Sequence, residues 1–591
     1  MLGSNLSVIE DHKLEKLFNS NFEKYSHESI YYSDWDDIVS IEAKTRFLVK
    51  GKLKEAKVST IETKDVLSRG IFYGGHKRKD FVFPAITQGA VGSLVYSEKL
   101  HDPHLISPFY FGDNIGVDQS VYSVVAPVNV VIDHKIFGTS PSDIKFTQEK
   151  IDDDKVKYTW RADNVKPFFK EDNSPGYSYI EPHIIVFIKS YTVRGVEKKI
   201  LSGVDDYYAW CNQMLSLMSL SSKDVIQKQA EIITQGKTKD EEKVEAIFQW
   251  VQSNISYIAF EDGLSGFVPR PASDVYNKRY GDCKDMANLL KEMITASGIK
   301  AHVAWIGTRS KPYTFAEVPA PPSCNHMICM VPLNGKTLFL DATDSYSAFG
   351  LPSSMIQGKE ALISLDNASF DVQKVPVVPR QQNQRIDSIK VELTTSGIRG
   401  KLTCSLRGYK KEDLEIAKLR DQLDKKIDFL EDFLVIGNNN IVFEEPVIRG
   451  LGEQNAQAVV ELKFSLPGYY KNVGDRIYLN LNLTKKTSIE QVAPERNQWI
   501  ELPYHYEDKL VVEFTLPSQY DVSYLPTNAN ETWNHFGLST KYSTTGRKIL
   551  FEKQFYAEAL YIKPDEFAQW NDMVNKCSEI SQQSIILTKT K

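Results

Sequence analysis

Arg-Tyr-Gly-Asp-Cys-Lys-Asp-Met-Ala, residues 279–287, is the stretch that decides how the centre of this chain folds. Asp282 follows a turn at Gly281 and is a good N-cap residue, and apolar residues then recur at helical spacing. These apolar residues are Met286, Leu289, Leu290, Met293 and Ile294. The pattern predicts a helix with Cys283 in its first turn, where unpaired N–H groups and the helix dipole favour a thiolate.

The charged residues around Cys283 do not by themselves make it a strong nucleophile. Lys284 would favour the thiolate, whereas Asp282 and Asp285 would oppose it. A cysteine that performs nucleophilic chemistry therefore needs a histidine partner from elsewhere in the chain.

His326 begins a segment that is typical of a β-hairpin. Apolar runs flank Asn334-Gly335, and this dipeptide between two such runs is a strong hairpin signal. If these two residues form the loop, His326 pairs with Thr343. Asp341 then lies two residues away on the same face, near enough for its carboxylate to meet the imidazole.

His302 is the other histidine that follows Cys283 closely, and it lies in an alternating run typical of an ordinary strand. We therefore interpret His326 as the base that accepts the proton of Cys283. Asp341 is the residue that orients the imidazole, which completes a candidate catalytic set of nucleophile, base and orienting acid.

This set and its context resemble the transglutaminase-like superfamily, whose cores carry Cys, His and Asp in this order. The resemblance covers about residues 240–350, and it is closest to a bacterial branch whose core lies between two β domains of unknown function. Its motifs are Phe248-Gln-Trp-Val, Ile255-Ser-Tyr, Tyr280-Gly-Asp-Cys-Lys-Asp, Gly298-Ile-Lys-Ala, Asn325-His and Leu340-Asp-Ala-Thr. Many members carry an aromatic residue two positions after the histidine, where this chain has Ile328.

The resemblance implies an α+β multidomain protein. We expect an N-terminal antiparallel β-sandwich at residues 1–205 and a transglutaminase-like, papain-like α+β core at 206–375. A C-terminal β-sandwich with a terminal helix is expected at 376–591. Strand-like runs support the flanks, among them residues 121–132, 183–191, 386–393, 398–406, 459–466 and 476–483, and a helical pattern covers 564–581.

Tyr257 is a candidate second donor to the oxyanion that develops during acyl transfer. The first donor would be the backbone N–H of Cys283. In this superfamily the second donor is often an aromatic side chain upstream of the cysteine, and Tyr257 is nearest the matching position. The alternative is that Tyr257 only packs at the end of a helix. A loop at residues 263–271, rich in Gly and Pro, would border the cleft.

The six cysteines do not form a disulfide framework. Cys324, His326 and Cys329 contain suitable metal ligands, but in a strand Cys329 points to the other face. Five residues of strand also hold Cys324 and Cys329 too far apart for a disulfide. The sequence therefore predicts no metal and no other cofactor.

Composition and charge are ordinary for a soluble globular protein, since 42% of the 591 residues are hydrophobic and the net charge is −6. Acidic and basic residues are interspersed, so we expect no nucleic-acid partner, and no apolar run is long enough for a membrane span. The first eleven residues lack the features of a signal peptide. The resemblance nevertheless implies a periplasmic or exported protein, and a cytoplasmic location stays open.

The favoured function is acyl transfer from a peptide or carboxamide through a thioester on Cys283. Hydrolysis is preferred to crosslinking, because relatives of this architecture are at least as often hydrolytic. The alternative is a binding or assembly protein whose core keeps these residues in a closed cleft. A metallopeptidase is excluded because the sequence lacks His-Glu-x-x-His. The sequence leaves the substrate and the oligomeric state open.

Overall fold

The structure is a computed structural model that describes residues 6–19, 22–66, 71–73, 77–138, 143–219, 222–260, 266–424, 429–434, 436–438, 440–453, 456–483 and 490–590. The chain divides into two compact units. The first consists of residues 1–168, 177–343 and 359–374, and the second of residues 169–176, 344–358 and 375–591.

The first unit begins with a β-rich region built from antiparallel sheets. Its strands are β1 (Val8–Phe18), β2 (His27–Tyr32), β3 (Asp36–Val49), β4 (Lys52–Lys57), β5 (Glu62–Asp65), β6 (Ile71–Tyr73), β7 (Lys77–Val82), β8 (Ala90–Leu100), β9 (Phe109–Tyr110), β10 (Val117–Pro127), β11 (Val130–Phe137), β12 (Lys145–Lys150), β13 (Lys155–Val165), β14 (His183–Val193) and β15 (Val196–Lys199). A short helix, α1 (Tyr177–Ile180), precedes β14. The main sheets have the strand orders β1-β8-β3-β4, β10-β13-β12 and β11-β14-β15.

Alternating burial explains why these runs form strands with one wet face. In β13, for example, Trp160 is fully buried between exposed or half-buried neighbours. The predicted strand at 121–132 is two strands, because the chain turns after Pro127 before β11 begins. The predicted strand at 183–191 is confirmed as β14.

The central part of the first unit combines helices with a five-stranded sheet. The helices are α2 (Val204–Ser216), α3 (Lys223–Thr234), α4 (Asp240–Asn254), α5 (Ala272–Lys278) and α6 (Cys283–Ala296). The strands are β16 (Ser256–Tyr257), β17 (Ala259–Phe260), β18 (Tyr280–Gly281), β19 (His302–Ile306), β20 (His326–Leu333), β21 (Lys336–Leu340), β22 (Glu360–Ser364) and β23 (Phe370–Lys374). The antiparallel sheet has the order β21-β20-β19-β22-β23, and α6 contacts β19, β20 and the helices α3, α4 and α5.

One hydrophobic core joins the N-terminal strands to this central part. It contains Ile185 and Phe187 from β14, Trp210 from α2, and Trp305 and Met327 from β19 and β20. Strand β6 also pairs in parallel with β17. The two parts of the first unit are therefore packed as one body.

The second unit is a β-rich structure with helices. Its elements are β24 (Gln384–Leu393), β25 (Gly397–Leu406), α7 (Tyr409–Asp424), α8 (Phe429–Leu434), β26 (Val442–Arg449), β27 (Ala458–Pro467), β28 (Lys471–Val473), β29 (Arg476–Leu479), β30 (Ile500–Glu501), β31 (Tyr506–Thr515), β32 (Tyr520–Tyr524), β33 (Ala529–Trp533), β34 (Phe536–Thr545), β35 (Lys548–Ala557), β36 (Tyr561–Ile562), α9 (Phe567–Ser581) and β37 (Ile585–Lys589). An eight-stranded sheet, β26-β27-β25-β24-β31-β35-β34-β33, shares its core with a four-stranded sheet, β28-β29-β37-β32.

The predicted hairpin in this unit is confirmed, since Leu393 pairs with Ile398 and the alternate residues of β25 are buried. The predicted strand at 476–483 ends earlier, at Leu479. The predicted helix at 564–581 is confirmed as a 3-10 turn, Pro564–Glu566, followed by α9, but the sequence pattern did not predict that β37 follows it. The α+β architecture with β-rich flanks is confirmed. Among the described helices, none is long and apolar enough to cross a membrane.

Candidate active site

Cys283 is the first residue of α6, as predicted. Asp282 is the N-cap, and its side chain accepts a hydrogen bond from the backbone N–H of Asp285. The Asp285 carboxylate accepts in return from the Asp282 N–H, which completes a capping box. The predicted apolar stripe of α6 is almost fully buried, and it fixes the helix that carries the cysteine.

Gly281 makes this helix start sterically feasible. A Cβ atom at Gly281 would lie 2.7 Å from Cβ of Asp285 and 3.2 Å from its Oδ2 atom. The absence of a side chain therefore lets the Asp285 carboxylate lie against the backbone before the cysteine. The same residue is held in β18, where it pairs with Tyr257 of β16.

Two of the charged residues flanking Cys283 bind each other. The Nζ atom of Lys284 binds the Asp282 carboxylate, and both side chains are buried. Burial raises the pKa of Asp282, and Lys284 acts in the opposite direction. Lys284 therefore compensates a buried acid beside Cys283.

Arg270 compensates the second acid. Its Nη2 and Nε atoms lie 2.7 and 2.9 Å from Oδ2 of Asp285, and its backbone N–H donates to Oδ1 at 2.8 Å. Nη2 also donates to the Tyr280 carbonyl at 2.8 Å, and the guanidinium lies 4.8 Å from the Tyr280 ring centroid. Each acid at the start of α6 therefore has its own basic partner.

His326 and Asp341 meet, as expected from the hairpin. Nε2 of His326 lies 2.8 Å from Oδ2 of Asp341, and the side chains are only 7% and 1% exposed. The loop at Asn334-Gly335 is confirmed, since Leu333 pairs with Lys336. The ladder does not extend to the expected His326–Thr343 pair, because β21 ends at Leu340.

His326 pairs instead with Ile306 of the neighbouring strand β19. Thr343 has a different part in the site: its hydroxyl and its N–H donate to Oδ1 of Asp341, at 2.6 and 3.2 Å. Both carboxylate oxygens of Asp341 are thus held by hydrogen bonds.

His326 also interacts with Cys283. Burial lowers the pKa of His326, but the Asp341 carboxylate and the Cys283 sulfur more than offset this and hold that pKa well above its ordinary value. Because Nε2 faces Asp341, the other ring nitrogen, Nδ1, is the one available to the sulfur. This is the arrangement that an imidazolium beside a thiolate requires.

Cys283 is partly exposed, whereas its neighbours Asp282 and Lys284 are buried. The predicted bordering loop at 263–271 is described from residue 266 onward, and residues 263–265 lie outside the described residues. Partial exposure of the cysteine residue is what a reactive thiol needs.

Tyr257 lies next to the segment that leads into α6. Its backbone pairs with Gly281, two residues before Cys283, and the residue is 47% exposed. Its role as an oxyanion donor stays a prediction.

The other candidates have simple structural roles. His302 is an ordinary strand residue, since it pairs with Met330 and its Nδ1 atom lies 2.8 Å from the Ser364 carbonyl oxygen. All six cysteines are free thiols, and Cys324 lies 3.0 Å from the Tyr207 hydroxyl. Within the described residues, no cluster of His, Cys, Asp or Glu is placed to hold a metal ion.

Sequence reasoning missed Arg270 and Thr343. Thr343 could have been found, because an Asp followed two residues later by Thr often forms a local side-chain bond. Arg270 gave no comparable signal, since its partner is fifteen residues away and the segment between them includes a whole helix.

Comparisons with known proteins cover most of the chain. Residues 227–336 match the Transglutaminase-like superfamily, and this range includes Cys283 and His326 but ends before Asp341. Residues 4–169 and 475–587 match two domains of unknown function with solved structures, DUF3857 and DUF3858. No curated protein matches the chain.

Two solved structures are similar. A crystal structure from Parabacteroides distasonis, described as a "putative protease", is 14% identical, with a TM-score of 0.63, and the match covers 98% of this chain and 96% of that chain. It shows that the two share a fold. A structure from Cytophaga hutchinsonii, described as a "putative cysteine protease", is 12% identical over 57% of this chain and 79% of that chain, with a TM-score of 0.16.

Proposed function

We propose that this chain, which carries a transglutaminase-like core between a DUF3857 and a DUF3858 domain, is a cysteine-dependent enzyme that transfers an acyl group from a peptide or carboxamide. The observation that carries the proposal is that His326 binds Asp341 and interacts with the partly exposed Cys283. Hydrolysis is the favoured outcome of the transfer.

The first half of the reaction forms a thioester. The Cys283 thiolate attacks the carbonyl carbon, and the negative charge moves to the carbonyl oxygen. When the tetrahedral intermediate collapses, the C–N bond breaks and His326 donates its proton to the departing amine or ammonia. Asp341 stabilises the imidazolium and holds its ring in place.

The second half releases the acyl group. Neutral His326 takes a proton from water, and the resulting hydroxide attacks the thioester carbonyl. The C–S bond then breaks, which frees a carboxylic acid and returns Cys283 to the thiolate. The same thioester would give a crosslink if a primary amine attacked instead of water.

The oxyanion would be held by the backbone N–H of Cys283 at the positive end of α6, with the Tyr257 hydroxyl as the proposed second donor. Tyr257→Phe removes only that hydroxyl. If it donates to the oxyanion, the variant should lose about a hundredfold in kcat, while iodoacetamide labelling of Cys283, which forms no oxyanion, should not change.

The experiment that tests the function is the rate of iodoacetamide labelling at Cys283 against pH, read by peptide mass spectrometry. We expect labelling in the wild type to persist to about pH 6, two or more units below an ordinary thiol. His326→Ala should abolish this low-pH labelling, because the imidazolium partner is gone.

His302→Ala is the matched control, since this histidine lies on the adjacent strand without contributing to the proposed set. It should label like the wild type. Labelling that follows an ordinary thiol in the wild type, or no labelling in the folded chain, would overturn the enzyme proposal and favour a binding or assembly role.

Water and amine acceptors are distinguished by partition of the thioester. A glutamine-containing peptide is incubated with and without a fluorescent primary amine, and both ammonia release and amine incorporation are measured. We expect ammonia release that the amine does not accelerate, with less than a tenth of the product labelled. Incorporation as the main product would instead assign a crosslinking activity.

An exported location also stays a prediction.

A further inference from the structure

We infer that the N-terminal β domain takes part in the proposed reaction as the support of residues 266–271, whose Arg270 is a positioning residue for Cys283. The inference rests on the proposed function. It gives a part in the reaction to the N-terminal β domain, which the steps described above do not involve. We call residues 266–271 the supporting segment.

Arg270 is the end of the supporting segment that reaches the cysteine helix. Two side-chain atoms and the backbone N–H of Arg270 bind the Asp285 carboxylate. Asp285 is only 1% exposed. Its own carbonyl accepts from Nδ2 of Asn288 at 3.2 Å, one turn further along α6. The supporting segment is therefore bound along the first two turns of the helix that begins with Cys283.

Phe267 is the end of the supporting segment that reaches the N-terminal β domain. Its ring packs edge-on against Trp35, at 5.6 Å between centroids, and against Trp210 of α2, at 5.3 Å. Trp210 is itself fixed by that domain, since its Nε1 atom donates to Asp102 at 3.2 Å and its ring stacks on His104. Residues of the N-terminal β domain thus contact the supporting segment directly through Trp35 and indirectly through Trp210.

The charge of Arg270 matters because of where Asp285 lies. The Asp285 carboxylate accepts from the backbone N–H of Asp282, the residue immediately before Cys283. Without Arg270, an uncompensated buried carboxylate would oppose both the thiolate and the oxyanion at this helix start. Arg270 removes that opposition, although it is not itself a catalytic residue.

The other titratable groups near Cys283 lie at the start of α6 and on or next to β20. Asp282 and Lys284 pair with each other at the helix start, His326 on β20 pairs with Asp341, and Cys324 lies just before that strand. Only the Arg270–Asp285 pair depends on the supporting segment, so its effect can be isolated by substitution.

The test is the pH midpoint of Cys283 labelling by iodoacetamide in the full chain. Arg270→Gln should raise this midpoint by about one pH unit, because Asp285 loses its counter-charge. Asp285→Asn should shift it in the opposite direction, since the arginine charge is then unopposed. The double variant Arg270→Gln/Asp285→Asn should return it to the wild-type value.

Shifts of opposite sign, and their cancellation, are readouts that a merely structural role would not produce. Arg279→Gln is the matched control, because Arg279 stacks on Trp250 and Tyr276 near the same helix. It should leave the midpoint unchanged. If Arg270→Gln does not fold, Arg270→Lys and the double variant, which leave no uncompensated charge, supply the comparison and should both label like the wild type.

The N-terminal β domain is tested with Trp35→Ala, which should raise the midpoint in the same direction as Arg270→Gln. Tyr31→Ala, at a residue 60% exposed, is the control and should have no effect. If Trp35→Ala labels with the wild-type pH midpoint, the N-terminal β domain does not support residues 266–271 in the proposed way. If Arg270→Gln labels with the wild-type pH midpoint, Arg270 is not a positioning residue for Cys283. An ordinary-thiol midpoint in the wild type would instead overturn the proposed function itself.

Discussion

The two carboxylate oxygens of Asp341 bind different residues. Oδ2 binds His326, and Oδ1 accepts from the hydroxyl and N–H of Thr343. A buried carboxylate that orients a histidine has to be held on both sides, because a freely rotating acid would allow several imidazole positions. The hydrogen-bonded chain from His326 through Asp341 therefore includes Thr343, which the sequence pattern does not predict as part of the site.

Thr343→Val should weaken catalysis without abolishing it. The valine keeps the shape and the backbone N–H bond but loses the hydroxyl bond to a charged oxygen, which is worth about 1.5 kcal/mol. We expect kcat to fall about tenfold with little change in KM. Steady-state kinetics on a cleavable peptide measure this, and Thr343→Ser should restore most of the rate. An unchanged kcat in the valine variant would contradict the role given to Thr343.

At the scale of elements, the start of α6 depends on the missing side chain of Gly281. Gly281→Ala would place a methyl group 2.7 Å from Cβ of Asp285, so that the capping box has to open. We expect a loss of about 1–3 kcal/mol in the free energy of unfolding, measured by urea denaturation. Gly116→Ala is the control, because a Cβ atom there meets nothing closer than 3.9 Å. Equal effects of the two substitutions would show that crowding at Gly281 is not the cause.

Helix α7 carries a buried acid that makes the second unit sensitive to pH. Burial, together with the nearby Asp344, raises the pKa of Glu412 to about 9. Between about pH 4.5 and 9 the folded chain therefore holds a proton that the unfolded chain releases. The contribution of this bound proton to the free energy of unfolding is fully present below about pH 4.5 and is lost as the pH rises through 9.

Glu412→Gln should flatten this dependence, because the amide is neutral at every pH. In the wild type the stability of the second unit should fall by up to about 1.4 kcal/mol per pH unit from this group. Urea denaturation at pH 5, 7 and 9 measures the difference between the two chains. Glu444→Gln, at an exposed residue, is the control and should keep the wild-type dependence. A glutamine variant that also keeps it would show that Glu412 is not protonated.

The elements that could be predicted are those fixed by neighbours in sequence. Asp282 caps its own helix, and Asn334 and Gly335 take the positive φ angles, 50° and 74°, that a tight hairpin requires. The pairing of His326 with Ile306, and the ion pair of Arg270 with Asp285, depend on elements that are distant along the chain. A periodic pattern carries no information about such partners, so this part of the site could not be read from it.

At the scale of the whole molecule, the core shared by the N-terminal strands and the central helices limits how the chain can be divided. Tyr207 and Trp210 of α2 are 1% and 4% exposed because residues of the N-terminal β domain contribute to the core that covers them. A fragment of residues 206–375 would expose this aromatic surface. We expect it to be insoluble or rapidly digested by trypsin, whereas the full chain resists digestion. A stable, monomeric fragment would contradict this expectation.

The strand order of the four-stranded sheet means that this sheet can be completed only late in translation. Strand β37 lies between β29 and β32, so both strands lack their shared neighbour until residues 585–589 have left the ribosome. Residues 169–176 and 344–358 also belong to the second unit, although they are translated long before most of it. The nascent chain must therefore keep these early segments and open strand edges out of unproductive pairings until translation of the second unit is nearly finished.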